Sequence, residues 1–442
     1  MTDSGHSSDV LVIGGGPAGS TVSAFLAMKG WSVTLLDKVC HPRFHIGESL
    51  LPMNLPILER LGLADEIEAA SIYKYGAEFN VDRAGAKPQT FYFARALGDS
   101  PPHAYEVRRS EFDNLLLRNA EGKGVKVLEG ERVTEVACGP ARQTARSVSE
   151  GGEETIWTSR FLVDASGRDT FLGRNAGLKQ KNPRHNSAAI FGHYENVIRR
   201  SGRDEGNISI YWFKHGWFWM IPLKDGAMSV GAVCFPEYLK SRRSSPEEFL
   251  WDTIALCPGV RDRMRHAKPA GPVQATGNYS YTSDRMYGEG YLLVGDAFAF
   301  VDPVFSSGVY LAMTGAEKAA AALDACLRDP SRWDHQLASL QRQVRRGIRT
   351  FSWFIYRFNT PAMRSLFMSP RNVLGMERAI ISLLAGDIFR RTPLSLPIIL
   401  FQGIYYLTCV ANAFQSWGAY QRRRQNGRLI FTGGTTPQDR DA

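Results

Sequence analysis

Three patterns of apolar and polar positions succeed one another along the chain. Near the N-terminus, Asp9 to Ile13 read DVLVI, an unbroken apolar run of the kind a parallel strand buried on both faces requires. A helical stretch from Ser20 to Lys29 follows, and then a second apolar run from Trp31 to Leu36 that stops at Asp37. Far downstream, Gly290 to Ala299 (GYLLVGDAFA) repeat the theme of an apolar strand ending in a glycine turn, with a helix from about Ser307. Between these regions Gly216 to Leu223 read GWFWMIPL, and period two places Trp217 and Trp219 on one face of a strand. The last third turns helical: Asp334 to Gly347 are polar and Phe351 to Phe358 aromatic-rich. Pro393 to Phe414 carry no charge and are flanked by Arg390, Arg391 and Arg422 to Arg424. No internal repeat is visible. The elements predict an α/β protein with a doubly wound domain, an antiparallel sheet and a helical C-terminal unit.

The turn between the first strand and helix is Gly14-Gly15-Gly16-Pro17-Ala18-Gly19. Strand, GxGxxG, helix, strand and acid then follow in the order a dinucleotide site needs. Gly14 permits the tight turn, Gly16 lets a pyrophosphate approach the backbone, and Gly19 permits close packing of helix on strand. The helix N-terminus offers free N–H groups to the phosphates, and Asp37 can accept hydrogen bonds from a ribose diol. This motif leaves FAD and NAD both open.

Composition narrows the class. The 442 residues suffice for two or three structural units, and 44% hydrophobic with 22% charged residues is ordinary for a globular chain. The net charge of +9 suits an acidic partner or is simply a solvated basic surface. No Lys/Arg run with interleaved aromatics suggests a nucleic-acid groove. Cys40, Cys138, Cys234, Cys257, Cys326 and Cys409 lie far apart without a CxxC pair, so no metal site is expected. Scattered thiols and a short polar N-terminus without a signal-peptide core predict a cytoplasmic protein.

The second glycine turn carries a resemblance. Gly295-Asp296-Ala297, after its apolar strand, resembles the second FAD fingerprint of the aromatic-hydroxylase-like flavoproteins. The resemblance implies that Asp296 binds the ribityl chain and that Pro303 and the helix after it face the flavin. Arg109-Ser110-Glu111-Phe112-Asp113 resembles the R-x-x-F-D segment of the same proteins, making Arg109 a candidate for flavin or pyrophosphate contact. Asp164-Ala165-Ser166-Gly167 resembles their D-[AG]-x-G segment. The resemblance completes the cofactor set with Ala18, Val133 and Gly308.

Three further features resemble the flavin-dependent halogenases. Trp217-Phe218-Trp219-Met220-Ile221-Pro222 matches W-x-W-x-I-P, whose indoles are taken to keep substrate away from the flavin. Phe300 to Gly308 (FVDPVFSSG) match F-x-x-P-x-x-S-x-G, which implies a halide at Ser307 and Gly308 and puts Phe305 beside the tunnel. Lys74, in Tyr73-Lys74-Tyr75-Gly76, sits where these enzymes carry their catalytic lysine, and the loop Arg43 to Pro52 (RFHIGESLLP) resembles the one joining flavin to that lysine. The resemblance covers residues 8 to about 330 and is nearest the shorter enzymes of pathway clusters acting on phenols or pyrroles, often carried on a thiolation domain.

The resemblance implies FADH2 from a separate flavin reductase, O2 and a halide ion as reactants. Hypohalous acid then passes to Lys74 and on to an electron-rich ring, free or on an acyl or peptidyl carrier protein. Residues 1–330 are expected to form a discontinuous FAD domain with the substrate sheet inserted at about 75–110 and 180–275. Residues 331–425 would form the helical unit and 426–442 a flexible tail. The apolar 393–414 stretch is read as helices capping the substrate entrance, ahead of peripheral membrane contact or a span. The rival activities are a flavin hydroxylase or epoxidase and a geranylgeranyl-reductase-like enzyme. A flavin-binding module without catalysis is the third class.

Overall fold

The computed structural model describes residues 6–81, 87–182, 187–277, 280–370, 372–389, 395–413 and 416–421. The expected 426–442 tail and the arginines flanking the apolar stretch lie outside these residues.

The apolar run at the N-terminus becomes the centre of a parallel sheet. Ser7–Ile13 pairs in parallel with Val33–Asp37 on one side and Glu154–Asp164 on the other. Lys126–Glu129 and Tyr291–Leu293 extend the sheet outward, also in parallel. A hairpin of Glu131–Ala137 and Gln143–Ser149 joins antiparallel to the first half of Glu154–Asp164. The helices Pro17–Ala27, Arg109–Gly122 and Ser307–Arg328 cover the sheet and bury Val10, Val12 and Leu35 completely. The first helix begins at Pro17, three residues before the predicted Ser20. Proline is already suited to a first helical position, where its fixed φ fits and its missing N–H costs nothing.

The second sheet is fully buried on both faces in its central strands, Ile208–Phe213, Gly216–Pro222 and Met228–Cys234. Alternation divides it. Trp217, Trp219 and Ile221 enter the core shared with the C-terminal helices. Phe218 and Met220 enter a separate core under the Pro246–Ala255 and Pro258–Met264 helices. The sheet is antiparallel as expected except at one place: Gly76–Val81 runs parallel to Ile208–Phe213. These two strands are separated by the chain's return through the FAD domain, so no hairpin forces them to be antiparallel.

The predicted polar helix and aromatic run form one helix, Trp333–Ile355. Its end, the following turn and the Pro361–Met368 helix bring Phe351, Phe358 and Phe367 onto the tryptophan face of the second sheet, with Phe358 and Trp212 ring centres 4.7 Å apart. Ser395–Ala411 is a further helix, with Phe401 and Tyr405 buried and Leu396, Ile399, Leu407 and Val410 exposed. Among the described residues no helix is long and apolar enough to cross a membrane.

Candidate active site

A cleft of about 620 Å³ opens over the C-terminal ends of the parallel strands, where α/β sheets bind ligands. Its floor is the first glycine turn. Gly14 has a φ of +102°, and a Cβ there would lie 2.5 Å from the Ala165 carbonyl oxygen. A Cβ on Gly19 would lie 1.8 Å from the Gly14 carbonyl oxygen, so turn and helix are in backbone contact. Gly16 differs: its Cβ would meet only Arg43 Nη2, at 3.5 Å, on the cleft side. Asp37 accepts the Gly15 N–H at 2.6 Å and the Val39 N–H at 3.0 Å, and it lines the cleft with Val133 of the adjoining hairpin.

The residues present fit FAD. The cleft is lined by Gly14, Gly16 and Ala18 at the turn, and by Asp296, Pro303 and Gly308 from the second fingerprint. Asp296 is buried enough to lift its carboxyl to about 6, against the pull of Arg168 and Arg109. A half-buried acceptor lining a cleft suits a sugar hydroxyl. Asp164 accepts from the Ser166 and Leu172 N–H groups at 2.9 and 2.8 Å and so shapes the loop of the third motif. Arg109 also lines the cleft, but its guanidinium is largely consumed within the protein. It donates to both Asp113 oxygens at 2.7 and 2.9 Å and to the Ile46 carbonyl at 2.8 Å. It therefore fixes the 43–52 loop across the cleft. His45 in that loop is half-buried; desolvation and the nearby Arg109 push its pKa down to about 3, so it stays neutral.

Trp217 and Trp219 line the same cleft, with ring centres 6.0 Å apart. Trp219 is held by donation from Nε1 to Ser229 Oγ at 3.1 Å. Gly231 lies under its indole, where a Cβ would come within 2.3 Å of the ring. Opposite stands the start of the Ser307–Arg328 helix. Asp302 accepts from Ser187 Oγ at 2.7 Å and from the Val304 N–H at 3.2 Å, and Ser306 takes a left-handed φ of 54° to enter the helix. The first-turn N–H groups of such a helix lack intrahelical acceptors. The Ser307 hydroxyl is buried there with no partner among the described residues, and Gly308 leaves open space where a side chain would stand. Phe305 turns away from the cleft lining and packs against Phe358, ring centres 5.5 Å apart.

Lys74 ends the short strand Ile72–Lys74 and is 1% exposed. Its Nζ donates to Ser49 Oγ at 2.7 Å and to the Leu50 carbonyl at 2.9 Å, and it lies 5.5 Å from the centre of the Phe93 ring. Burial holds its pKa below the usual lysine range, with Glu106 opposing. Lys74 does not itself line the cleft; Ser49 does, and Lys74 stands behind it.

Sequence reasoning assigned no role to Arg43, Ser49, Glu48, His193 or Glu106. Arg43 and Ser49 stood inside a quoted loop motif, which was the signal available. Glu48 accepts from or donates to His193 Nε2 at 2.9 and 3.0 Å. That contact joins the 43–52 loop to the Ala188–Glu195 strand of the second sheet and has no local signature.

Comparison with known proteins agrees with this geometry. A family model for the FAD binding domain matches residues 7–344. A 1H-pyrrole-2-carbonyl-(peptidyl-carrier protein) chlorinase of Pseudomonas fluorescens is 30% identical over 411 residues, covering 87% of this chain and 90% of the relative. The solved structure of the myxobacterial chondrochloren halogenase CndH matches with a TM-score of 0.77 and 34% identity, over 93% of this chain and 97% of that one. A flavoprotein/dehydrogenase from Cytophaga hutchinsonii matches with a TM-score of 0.84 and 28% identity, over 92% and 100%. With both FAD fingerprints, the paired tryptophans and the open helix start on a single cleft, this chain belongs to the flavin-dependent halogenases, FAD-binding oxidoreductases.

Proposed function

We propose that this enzyme installs chloride or bromide on an electron-rich aromatic ring, a phenol or pyrrole carried on a peptidyl or acyl carrier protein, with Lys74 as its catalytic residue. The observation that supports this most is the buried Lys74 amine, anchored on the back of the cleft wall through Ser49. When bound, reduced FAD supplies the electrons with which O2 converts halide to hypohalous acid. Gly14, Gly16, Ala18, Gly19, Asp37, Val133, Asp296 and Pro303 form the bed that would hold it, with Arg109 bracing the opposite loop. Ser307 and Gly308 offer the halide a helix N-terminus. Trp217 and Trp219 close the cleft on the second sheet and keep a substrate ring off the flavin side. Lys74 holds the hypohalous acid and directs it to the ring, a task suited to an amine shielded from water and lowered in pKa.

The test is product mass. With a separate flavin reductase, NADH, FAD and O2, product should gain the mass of chlorine or bromine according to the halide supplied. The chain alone should oxidise NADH or NADPH negligibly, because both FAD elements serve one flavin and no second GxGxxG remains in the sequence. Oxygen incorporation regardless of halide, with rapid reduction by NADPH alone, would replace this reading with a hydroxylase.

The carrier is tested by comparing a loaded carrier protein with the free acid. The named pyrrole chlorinase acts on a carrier-bound group, and a chain of net charge +9 suits an acidic carrier. The loaded carrier should turn over faster; equal or faster turnover of the free acid refutes tethering.

A further inference from the structure

Lys74 and Glu106 share one face of a two-stranded antiparallel ribbon. Ile72 stands opposite Glu106 and Lys74 opposite Ala104. With side chains alternating along each strand, Lys74 and Glu106 are diagonal neighbours. Tyr73 and Tyr105 take the other face, where Glu68 accepts from both hydroxyls. The cofactor loop pairs with the ribbon at this point: Ser49 forms an antiparallel backbone bridge with Glu106, the Val107 N–H donates to the Glu48 carbonyl at 2.8 Å and the Leu50 N–H to the Tyr105 carbonyl at 3.0 Å. Ser49 thus stands beside Lys74, Glu106 and the cleft together.

Glu106 has no solvent exposure. Among the described residues neither carboxyl oxygen has a partner at hydrogen-bonding distance, although the Ser49 hydroxyl is near enough to favour its ionised form. Leaving a carboxyl in this condition is costly unless it has a use or stays neutral. Burial lifts it to about 8, Lys74 and Ser49 pull it down, and Glu48 pushes it up. The other charged groups at this junction are engaged elsewhere: Glu48 with His193, and Glu68 with the two tyrosines. Burial disfavours the ammonium of Lys74 as it disfavours the carboxylate of Glu106, so it shifts the balance from the charged pair toward the neutral pair.

We propose that Glu106 is a positioning residue that stores the proton of Lys74. With Ser49 Oγ brought within hydrogen-bonding distance of a Glu106 carboxylate oxygen, Lys74 Nζ passes a proton to Ser49 Oγ while the Ser49 proton passes to that oxygen. The ammonium and carboxylate become an amine and a carboxylic acid, and the reverse transfer restores them. No net charge enters or leaves the buried site, and no other reactant is consumed. The amine has a lone pair for hypohalous acid once the Ser49 hydroxyl, left donating to it, turns away, and the stored proton is at hand when the ammonium must re-form. This inference rests on the reading of Lys74 as the catalytic residue.

Glu106→Gln keeps the shape of the side chain and cannot hold the proton. Lysine labelled with 13C at Cε reports the ionisation of Lys74 by NMR in FAD-free protein, the signal being assigned by its absence in Lys74→Met. Losing the carboxylate should lower the proton affinity of Lys74 by about tenfold or more, the sign expected when a neighbouring negative charge is removed. Halogenation by Glu106→Gln should fall by about a hundredfold. The variant should also lose the limb of its pH–rate profile near the Glu106 ionisation, with FAD retention unchanged. Glu106→Asp should return that limb in part, which a packing defect would not do. An unmoved Lys74 ionisation or an unmoved pH profile in Glu106→Gln overturns the proton store, if Lys74→Met is inactive. Retained halogenation by Lys74→Met overturns the reading of Lys74 itself and the proton store with it.

Discussion

Lys74→Met is expected to reduce halogenation by about 10³-fold, within the range for a side chain that handles the reacting group. It should leave FAD retention and O2 consumption near the wild-type level, because Lys74 does not line the cofactor cleft. Methionine matches the unbranched stem and fits the apolar surroundings of Phe93, Leu51 and Ala104. The substitution frees Ser49 Oγ and leaves the Leu50 carbonyl without its donor, a cost of about 1–3 kcal/mol. It also removes a buried charge whose desolvation opposes folding, and Glu106, without its counter-charge, stays protonated, so the effects offset. Thermal unfolding should therefore shift little while product formation collapses. Halogenated product at near wild-type rate sinks the catalytic assignment; normal activity lost together with the fold would show only that the lysine is structural. Free hypohalous acid released into solution, trapped by an added scavenger, is the expected fate of the oxidant when Lys74 is absent.

The fold was legible wherever a local rule had one geometric solution. Gly14 and Gly19 are needed because of a positive φ and a backbone contact within one short turn, and both causes lie inside six consecutive residues. Trp217 and Trp219 fall on one face because strand alternation admits nothing else. What escaped depends on pairing across long sequence separations. The parallel register of Gly76–Val81 with Ile208–Phe213 has no turn to announce it. Glu106 reads locally as an ordinary strand residue, and only the pairing of Ser49 with it and of its strand with Ile72–Lys74 shows it to be a buried carboxyl beside Lys74. Arg109 was expected at the cofactor, and it is at the cleft, yet its hydrogen bonds go to Asp113 and Ile46. An R-x-x-F-D motif gives the spacing of that ion pair along a helix but not which group the arginine prefers. Phe305 occupies the expected loop, and the aromatic residues of the C-terminal helices draw its ring into their cluster.

Gly19→Ala and Gly16→Ala should separate what the glycine turn does for the fold from what it does for the cofactor. The new methyl on residue 19 would stand 1.8 Å from the Gly14 carbonyl oxygen and 3.2 Å from Ala165 Cβ. The closer obstacle is backbone, so no rotamer change relieves it. Either the helix backs away from the sheet or the turn opens, and the turn also sets the 2.6 Å bond from the Gly15 N–H to Asp37. The expected cost is about 3–5 kcal/mol, the range of substitutions that force backbone strain in a core, with loss of FAD as a consequence. The methyl on residue 16 meets only the end of the Arg43 side chain at 3.5 Å, an ordinary contact with a group that can move. FAD-free Gly16→Ala should therefore unfold at the wild-type temperature. Its methyl nevertheless occupies the approach of a pyrophosphate to the turn, and FAD affinity should fall by about a hundredfold, roughly 2.7 kcal/mol. Thermal unfolding of both FAD-free variants and flavin titration of Gly16→Ala measure the two effects independently. Wild-type affinity in Gly16→Ala means that the pyrophosphate does not lie on this turn, whereas wild-type stability in Gly19→Ala means that the helix can yield where the backbone contact says it cannot.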